Sequence, residues 1–298
     1  MLRKNEKGLF VGIIGFYLIL FFSSHCLAAV NVQEIINNMQ KAYEKQMAGI
    51  NDYVVVQKPT GGIAAMAGET KIYYKKAKMD GVEVYKTRTE TEVMGMAMVS
   101  IYDGKYNWSI NPITEDIEKK ESEFNPGQIW KNIDLNQTKY LGEEMIDGEK
   151  AYVLQINNVM QVMGNLQNFS PQGESLEDST VTPGKLWISS KTWMPLRMVM
   201  VMKAGSKEEN MMMNTTMTSD FKDYRQVGTM LHPYQLVMKT SIEIDTSGMS
   251  EEEKKEQEQA MQMMQSMMSG MGSFSIETVD IKLNTGLSDD LFDGTKLE

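Results

Sequence analysis

The stretch Leu186–Lys203 reads LWISSKTWMPLRMVMVMK. Its spacing predicts two antiparallel strands, Leu186–Ser190 and Leu196–Met202, joined through a Lys191-Thr192 turn. Pro195 has no backbone N–H to give, which restricts it to a strand start or an edge. Side chains alternate along a strand, so Met198, Met200 and Met202 share one face while Arg197, Val199 and Val201 share the other. One face is therefore a row of long, flexible thioethers.

The same grammar extends outward in both directions. Asp52–Lys58, Glu69–Lys78, Val82–Val93, Ala97–Tyr102, Lys105–Ile110, Asp116–Glu121, Thr138–Met145 and Lys150–Asn157 are rich in β-branched and aromatic residues or alternate in polarity. Asn210–Phe221, Leu231–Asp245 and Phe274–Asn284 follow the organising hairpin in the same style. Asp103-Gly104 and Asp147-Gly148 are hairpin signals. Strands that follow one another through tight turns make a meander, and the lack of strand-helix-strand alternation argues against a parallel α/β sheet.

Two helices stand out against these strands. Asn31 and Glu34 form a capping box ahead of Val32, Ile35, Ile36, Met39, Ala42, Tyr43 and Met47, which recur at three and four as one apolar stripe until Gly49. Ser250–Gly272 begins with a second capping box, Ser250 and Glu253, and ends with Met261, Met264, Met267, Met268 and Met271 at helical spacing. An insertion polar at its stem and methionine-rich at its tip reads either as a lid or partner-contacting arm, or as a helix packed on the sheet. Asn125–Asn132 predicts a single helical turn carrying Ile129 and Trp130, and Met160–Phe169 a short helix. Pro59–Gly68 is a loop of small residues, and Ser288–Gly294 a short capped turn. The sum is an α+β design, a single curved antiparallel sheet whose concave face is filled by a helix.

The N-terminus is read apart from this domain. Arg3, Lys4 and Lys7 precede an apolar run Leu9–Phe22 and then small residues to Ala29, the pattern of a secretory signal cleaved after Ala28. The run is shorter than the roughly 20 residues of a membrane span. Cys26 is a poor lipidation site, because Ser23 stands where a bulky aliphatic is usual and His25 where a small residue is wanted. Two units follow: residues 1–28 as signal, and 29–298 as one domain carrying the insertion 250–272.

Composition excludes several chemistries. The net charge of −10 becomes −12 once the signal, with three basic residues and one acidic, is removed, and that sign argues against nucleic acid as a partner. Cys26, the only cysteine, and His25 leave with the signal, so disulfides, cysteine nucleophiles and histidine-rich zinc sites are excluded. His232 remains as an ordinary strand-end residue beside Pro233. There is no phosphate loop or dinucleotide fingerprint, and the adjacent carboxylates Asp289/Asp290 and Glu143/Glu144 read as solvated charges. Nothing asks for catalysis or a cofactor.

Methionine is what the chain has in excess, 28 residues of 298. Met94, Met96 and Met98 alternate as Met198, Met200 and Met202 do. Turned inward, with Met39, Tyr43 and Trp187, two such rows line a deformable apolar cavity; the other reading is a core filled with methionine in place of leucine. Thioethers are also soft ligands, so Met261–Met271 admits Cu(I) carriage as a further alternative.

Taken together, the helix Val32–Met47 leading into Tyr53-Val54-Val55, the pair Ile101–Trp108, the hairpin from Leu186-Trp187-Ile188 to Trp193-Met194-Pro195-Leu196-Arg197, and the closing Asp290-Leu291-Phe292 resemble the outer-membrane lipoprotein-sorting (LolA-like) carriers of Gram-negative bacteria and their fold relatives. The resemblance implies an unclosed β-barrel wrapped around helices, with an apolar cavity that in the family shelters the acyl chains of lipoproteins crossing the periplasm. It implies a non-enzymatic carrier of lipid or lipoprotein acyl chains that meets inner- or outer-membrane protein partners. An envelope-stress sensor of the same fold, binding a membrane-protein partner through the insertion, is the alternative. The size of Ser250–Gly272 departs from a minimal carrier, and no functional arginine of the family maps to a particular position here.

Overall fold

The computed structural model describes residues 31–61, 67–93, 95–111, 114, 116–122, 128–157, 180–206, 211–245 and 273–297. The helix α1, Val32–Gln46, starts as its capping pattern requires, with the Asn31 side chain accepting from the Glu34 amide at 2.8 Å. Gly49 follows its end with φ +77°, a conformation other residues adopt only with strain.

The strands are β1 Asp52–Thr60, β2 Thr70–Met79, β3 Val82–Val93, β4 Met96–Tyr102, β5 Tyr106–Ile110, β6 Ile117–Glu121, β7 Thr138–Ile146, β8 Glu149–Ile156, β9 Thr180–Val181, β10 Gly184–Ser189, β11 Pro195–Ser206, β12 Met211–Val227, β13 Met230–Asp245 and β14 Ser273–Leu283. They form one antiparallel sheet ordered β6-β5-β4-β3-β2-β1-β14-β13-β12-β11-β10-β8-β7, with β9 paired to β11. The expected meander is present in two arms, and the long-range step is the pairing of β1 with β14, Tyr53 opposite Leu283 and Val55 opposite Ile281.

The edge strands β6 and β7 do not pair, so the barrel is unclosed. The sheet must nevertheless curl, because α1 touches both arms. Tyr43 packs edge-to-face on Tyr85 of β3, ring centroids 6.2 Å apart, while the same helix meets β7 and the 3-10 turn Ile129–Asn132. Met47, Ile50, Tyr53, Val55, Tyr85 and Met230 form the buried cluster beneath its C-terminal end. The α-helical content among the described residues is this one helix; Met160–Phe169 and Ser250–Gly272 lie outside them.

The opposite face is covered in two places. Over β2–β5 the C-terminal segment brings Phe292 and Leu297 onto Ile101, with Tyr73, Val99 and Trp108 around them. Lys75 Nζ donates to the Leu287 carbonyl at 2.7 Å and Arg88 Nη1 to that of Leu291 at 3.3 Å. The expected short capped turn is two 3-10 turns: Ser288 makes no capping hydrogen bond, and Asp293 caps the second by accepting from the Thr295 amide at 3.1 Å. Asp289, exposed as expected, sits 3.2 Å from Lys75. At the other arm Ala151, Val153, Trp187 and Leu196 make a second buried cluster. Leu196 reaches it because it is the extra residue of a bulge, with Pro195 opposite Ile188 and Arg197 opposite Trp187.

Candidate functional site

Residues opposite one another in a ladder point to the same side, so the register can be followed across the sheet. Met198 pairs with Ser219, Met200 with Met217 and Met202 with Thr215; Ser219 pairs with Met238, and Met238 with Phe274. On the far arm Val55 pairs with Ile72, Ile72 with Thr89, Thr89 with Ser100, and two residues along Thr91 pairs with Met98 and Val93 with Met96. Leu236 opposite Ile276, and Ile276 opposite Pro59, join the two halves. Met96 and Met98 therefore share a face with Met198, Met200 and Met202, and it is the face on which Tyr53 and Val55 meet Met47 just past the end of α1.

Exposure along this face is graded. Met39, Met198 and Met200 are 3, 2 and 2% exposed. Toward the end of β11 where Ser206 lies, Met202 is half-buried, as are Met217, Ile242, Phe274 and Ile276 on neighbouring strands and Met98 across the sheet, while Met96 is 44% exposed. β13 pairs with β14 only over Gln235–Lys239 but with β12 as far as Asp245, so this rim projects beyond the centre of the sheet. The C-terminal ends of β1, β8, β11 and β13, at Thr60, Ile156, Ser206 and Asp245, all lie toward this rim. Met94, Met261, Met264, Met267, Met268 and Met271 fall outside the described residues.

Of the expected lining residues, Trp187 lies on the other side of the sheet and Tyr43 at the edge of this face. Trp187 stands opposite Arg197 and Val153, on the other face from Met198, and its indole donates to Glu144 Oε2 at 2.8 Å. Alternation explains the error: Leu186 pairs with Met198, which turns its neighbour Trp187 away. Tyr43 packs against the cluster of Met47, Tyr53, Val55 and Tyr85 and also lines a cleft of about 370 Å³ between α1 and the Gln128–Asn132 segment, where its ring lies 4.3 Å from that of Trp130. Burial pushes the Tyr43 phenol well up and that of Tyr85 to about 12, so both stay protonated. The reading from sequence left out Met238, Ile242, Phe274 and Ile276. Their signal was available as even-numbered alternation in β13 and β14, but fixing it to the Met198 face requires the hairpin register.

His232 is on the helix side of β13, its Nε2 3.2 Å from Thr278 Oγ1. Burial pushes its pKa down to about 4. Among the described residues no group of three or more His, Cys, Asp or Glu side chains could hold a metal ion, and no helix is long and apolar enough to cross a membrane.

No family model matches the chain, and no curated protein matches its sequence. Solved structures match it in outline. A domain assigned to outer membrane lipoprotein sorting from Vibrio parahaemolyticus is 13% identical, with 88% of this chain and 97% of that one covered and a TM-score of 0.47. A DUF1329 family protein from Desulfovibrio piger is 14% identical over 90% of this chain and 99% of that one, at 0.48. A LolA superfamily protein from Nitrosomonas europaea is 13% identical over 89% and 98%, at 0.42. At these scores the likeness is one of outline, and the strand order above defines the fold by itself.

Proposed function

We propose that the protein is a periplasmic carrier that binds acyl chains, of lipoproteins or of another lipid, against the helix-bearing face of its sheet. The observation that supports this reading is the gradient on that face: fully buried methionine at Met198 and Met200, then half-open methionine, isoleucine and phenylalanine toward the rim, contributed by both arms of the sheet. Thioether side chains rearrange at low cost, so such a surface accepts apolar chains of differing shape. Each acyl methylene withdrawn from water contributes about 0.8 kcal/mol, enough for a chain of ordinary length to hold without a polar anchor. In this reading residues 1–28 direct export, and the methionine-rich segment 250–272, which follows β13 in the chain, adds to the apolar contact or meets a membrane partner.

The test is native mass spectrometry, with lipid extraction, of the protein purified gently from the periplasm. A mass excess that extracts as acylated species is expected. A bare mass, together with no affinity for fatty acid or lipopeptide, overturns the reading and makes the face a methionine core.

A further inference from the structure

The cleft beside α1 carries chemistry that an acyl carrier does not use. Its walls include Tyr43, Glu44, Lys76, Glu83, Gln128 and Trp130. Two buried polar atoms here make no hydrogen bond, Gln128 Oε1 and Trp130 Nε1, and the buried hydroxyls of Tyr43 and Tyr85 have no partner but each other. Tyr43, Gln128 and Trp130 belong to the cleft wall, and Tyr85 stands directly behind Tyr43. Gln128 is 4% and Trp130 7% exposed. A buried polar atom without a partner costs about 1–3 kcal/mol, so two of them beside a hydroxyl pair closed on itself depart from the usual pattern of satisfied interiors.

Together they offer an N–H donor, a carbonyl acceptor and two hydroxyls that do either. The charges at the mouth are already engaged: Lys76 Nζ lies 3.6 Å from Glu83, Glu44 accepts from Gln40 Nε2 at 2.6 Å, and Lys131 Nζ donates to the Glu83 carbonyl at 3.1 Å. The complement is an uncharged molecule that is donor and acceptor at several points and has a face able to pack on the Tyr43 and Trp130 rings. A sugar ring has those properties: hydroxyls around its rim, C–H groups on its faces. The volume of about 370 Å³ falls in the roughly 300–1,000 Å³ range of small-ligand sites.

We propose that the cleft between α1 and the Gln128–Asn132 turn binds an uncharged sugar ring, stacked on Tyr43 and Trp130 and bonded through Gln128 Oε1, Trp130 Nε1 and the Tyr43 hydroxyl. Bulk water does not reach these atoms, so a ligand hydroxyl enters as the turn gives. That turn is a single 3-10 turn closed by Lys131 N to Gln128 O at 2.9 Å. The cleft shares Met47 with the cluster at the end of α1 but takes no wall from Met96, Met98, Met198, Met200 or Met202, so one can fail without the other.

The test follows the four tryptophan indole N–H resonances of the whole ¹⁵N-labelled protein during titration with N-acetylglucosamine and with its linear tetramer. The Trp130 resonance, identified by its loss in Trp130→Phe, is expected to move saturably while those of Trp108, Trp187 and Trp193 stay. In Gln128→Ala, checked by circular dichroism for an intact sheet, the midpoint rises at least tenfold. A tetramer that binds more than fourfold tighter than the monomer assigns the site to a cell-wall glycan, and equal binding to a free sugar. A Trp130 resonance unmoved by either sugar overturns the proposal, as does an equal response to glycerol at the same concentration.

Discussion

Trp187 and Met198 lie on opposite faces of the sheet although their strands are hydrogen-bonded neighbours: Leu186 stands across from Met198, and Trp187 turns away to donate to Glu144 at 2.8 Å. The indole covers Ala151 and Val153 on the side away from α1. Trp187→Phe keeps an aromatic ring there and loses the hydrogen bond to an exposed carboxylate that water can solvate again. The expected cost is about 1 kcal/mol by urea unfolding, with fatty-acid affinity unchanged within about twofold. A larger loss of ligand affinity than of stability would place Trp187 at the ligand after all.

Met200 and Met202 separate packing from binding on a single strand. Met200 is buried, so Met200→Ala is expected to lower stability by about 2–4 kcal/mol through the cavity it leaves. Met202 is half-buried toward the rim, and Met202→Asp is expected to cost less than about 1.5 kcal/mol in unfolding while weakening acyl-chain binding tenfold or more. Unfolding curves and displacement of a fluorescent fatty acid, measured on both variants, check the split.

His232 makes stability depend on pH in a defined direction. Its folded pKa of about 4 lies below the roughly 6.5 of an unfolded chain, so between those values the native state binds fewer protons. The contribution is fully present above pH 6.5 and is lost as pH falls toward 4. Because the ring is half-buried, its size is on the order of 2 kcal/mol. Unfolding free energies at pH 7.5 and 4.5 should fall more steeply for the parent than for His232→Gln; parallel falls would show that other groups carry the acid sensitivity.

Gly294 is fixed by its neighbour. A Cβ placed there would come within 2.1–2.4 Å of three Trp108 ring atoms, and Trp108 is tied by its indole to Asp103 Oδ2 at 2.7 Å. Gly294→Ala is expected to lift the last turn off the sheet at a cost of about 1–3 kcal/mol, read as a lower melting temperature and faster proteolysis of the C-terminus.

The strands were legible because their alternation is local. Val82–Val93 is found as read, and most other bounds moved by one or two residues. β12 runs on to Val227 because Tyr224 packs into the Trp187 cluster while its polar neighbours face water, a tertiary contact that propensity does not register. The sharing of a face by Met96, Met98 and Met198–Met202 followed partly from parity, but parity does not say which side a helix covers. In Leu186-Trp187-Ile188 both faces are buried, so the polar alternation that would have sided Trp187 is missing. The pairing of β1 with β14 left no local trace, and the Tyr43 cleft joins residues from a helix, a sheet and a turn far apart in the chain.

That central pairing sets an order of events. Asp52 accepts from the Thr285 and Gly286 amides at 2.6 and 3.1 Å, and Asn51 N bonds Asn284 Oδ1 at 2.8 Å, so the middle of the sheet is sewn from the two ends of the domain. Until residue 283 has left the ribosome, β1 and β13 have nothing between them. Contacts of such long range form slowly. Each meander arm can close its own hairpins from local contacts, so the junction of the two arms is the last part of the sheet to form and the first place where a lost C-terminal strand would split it.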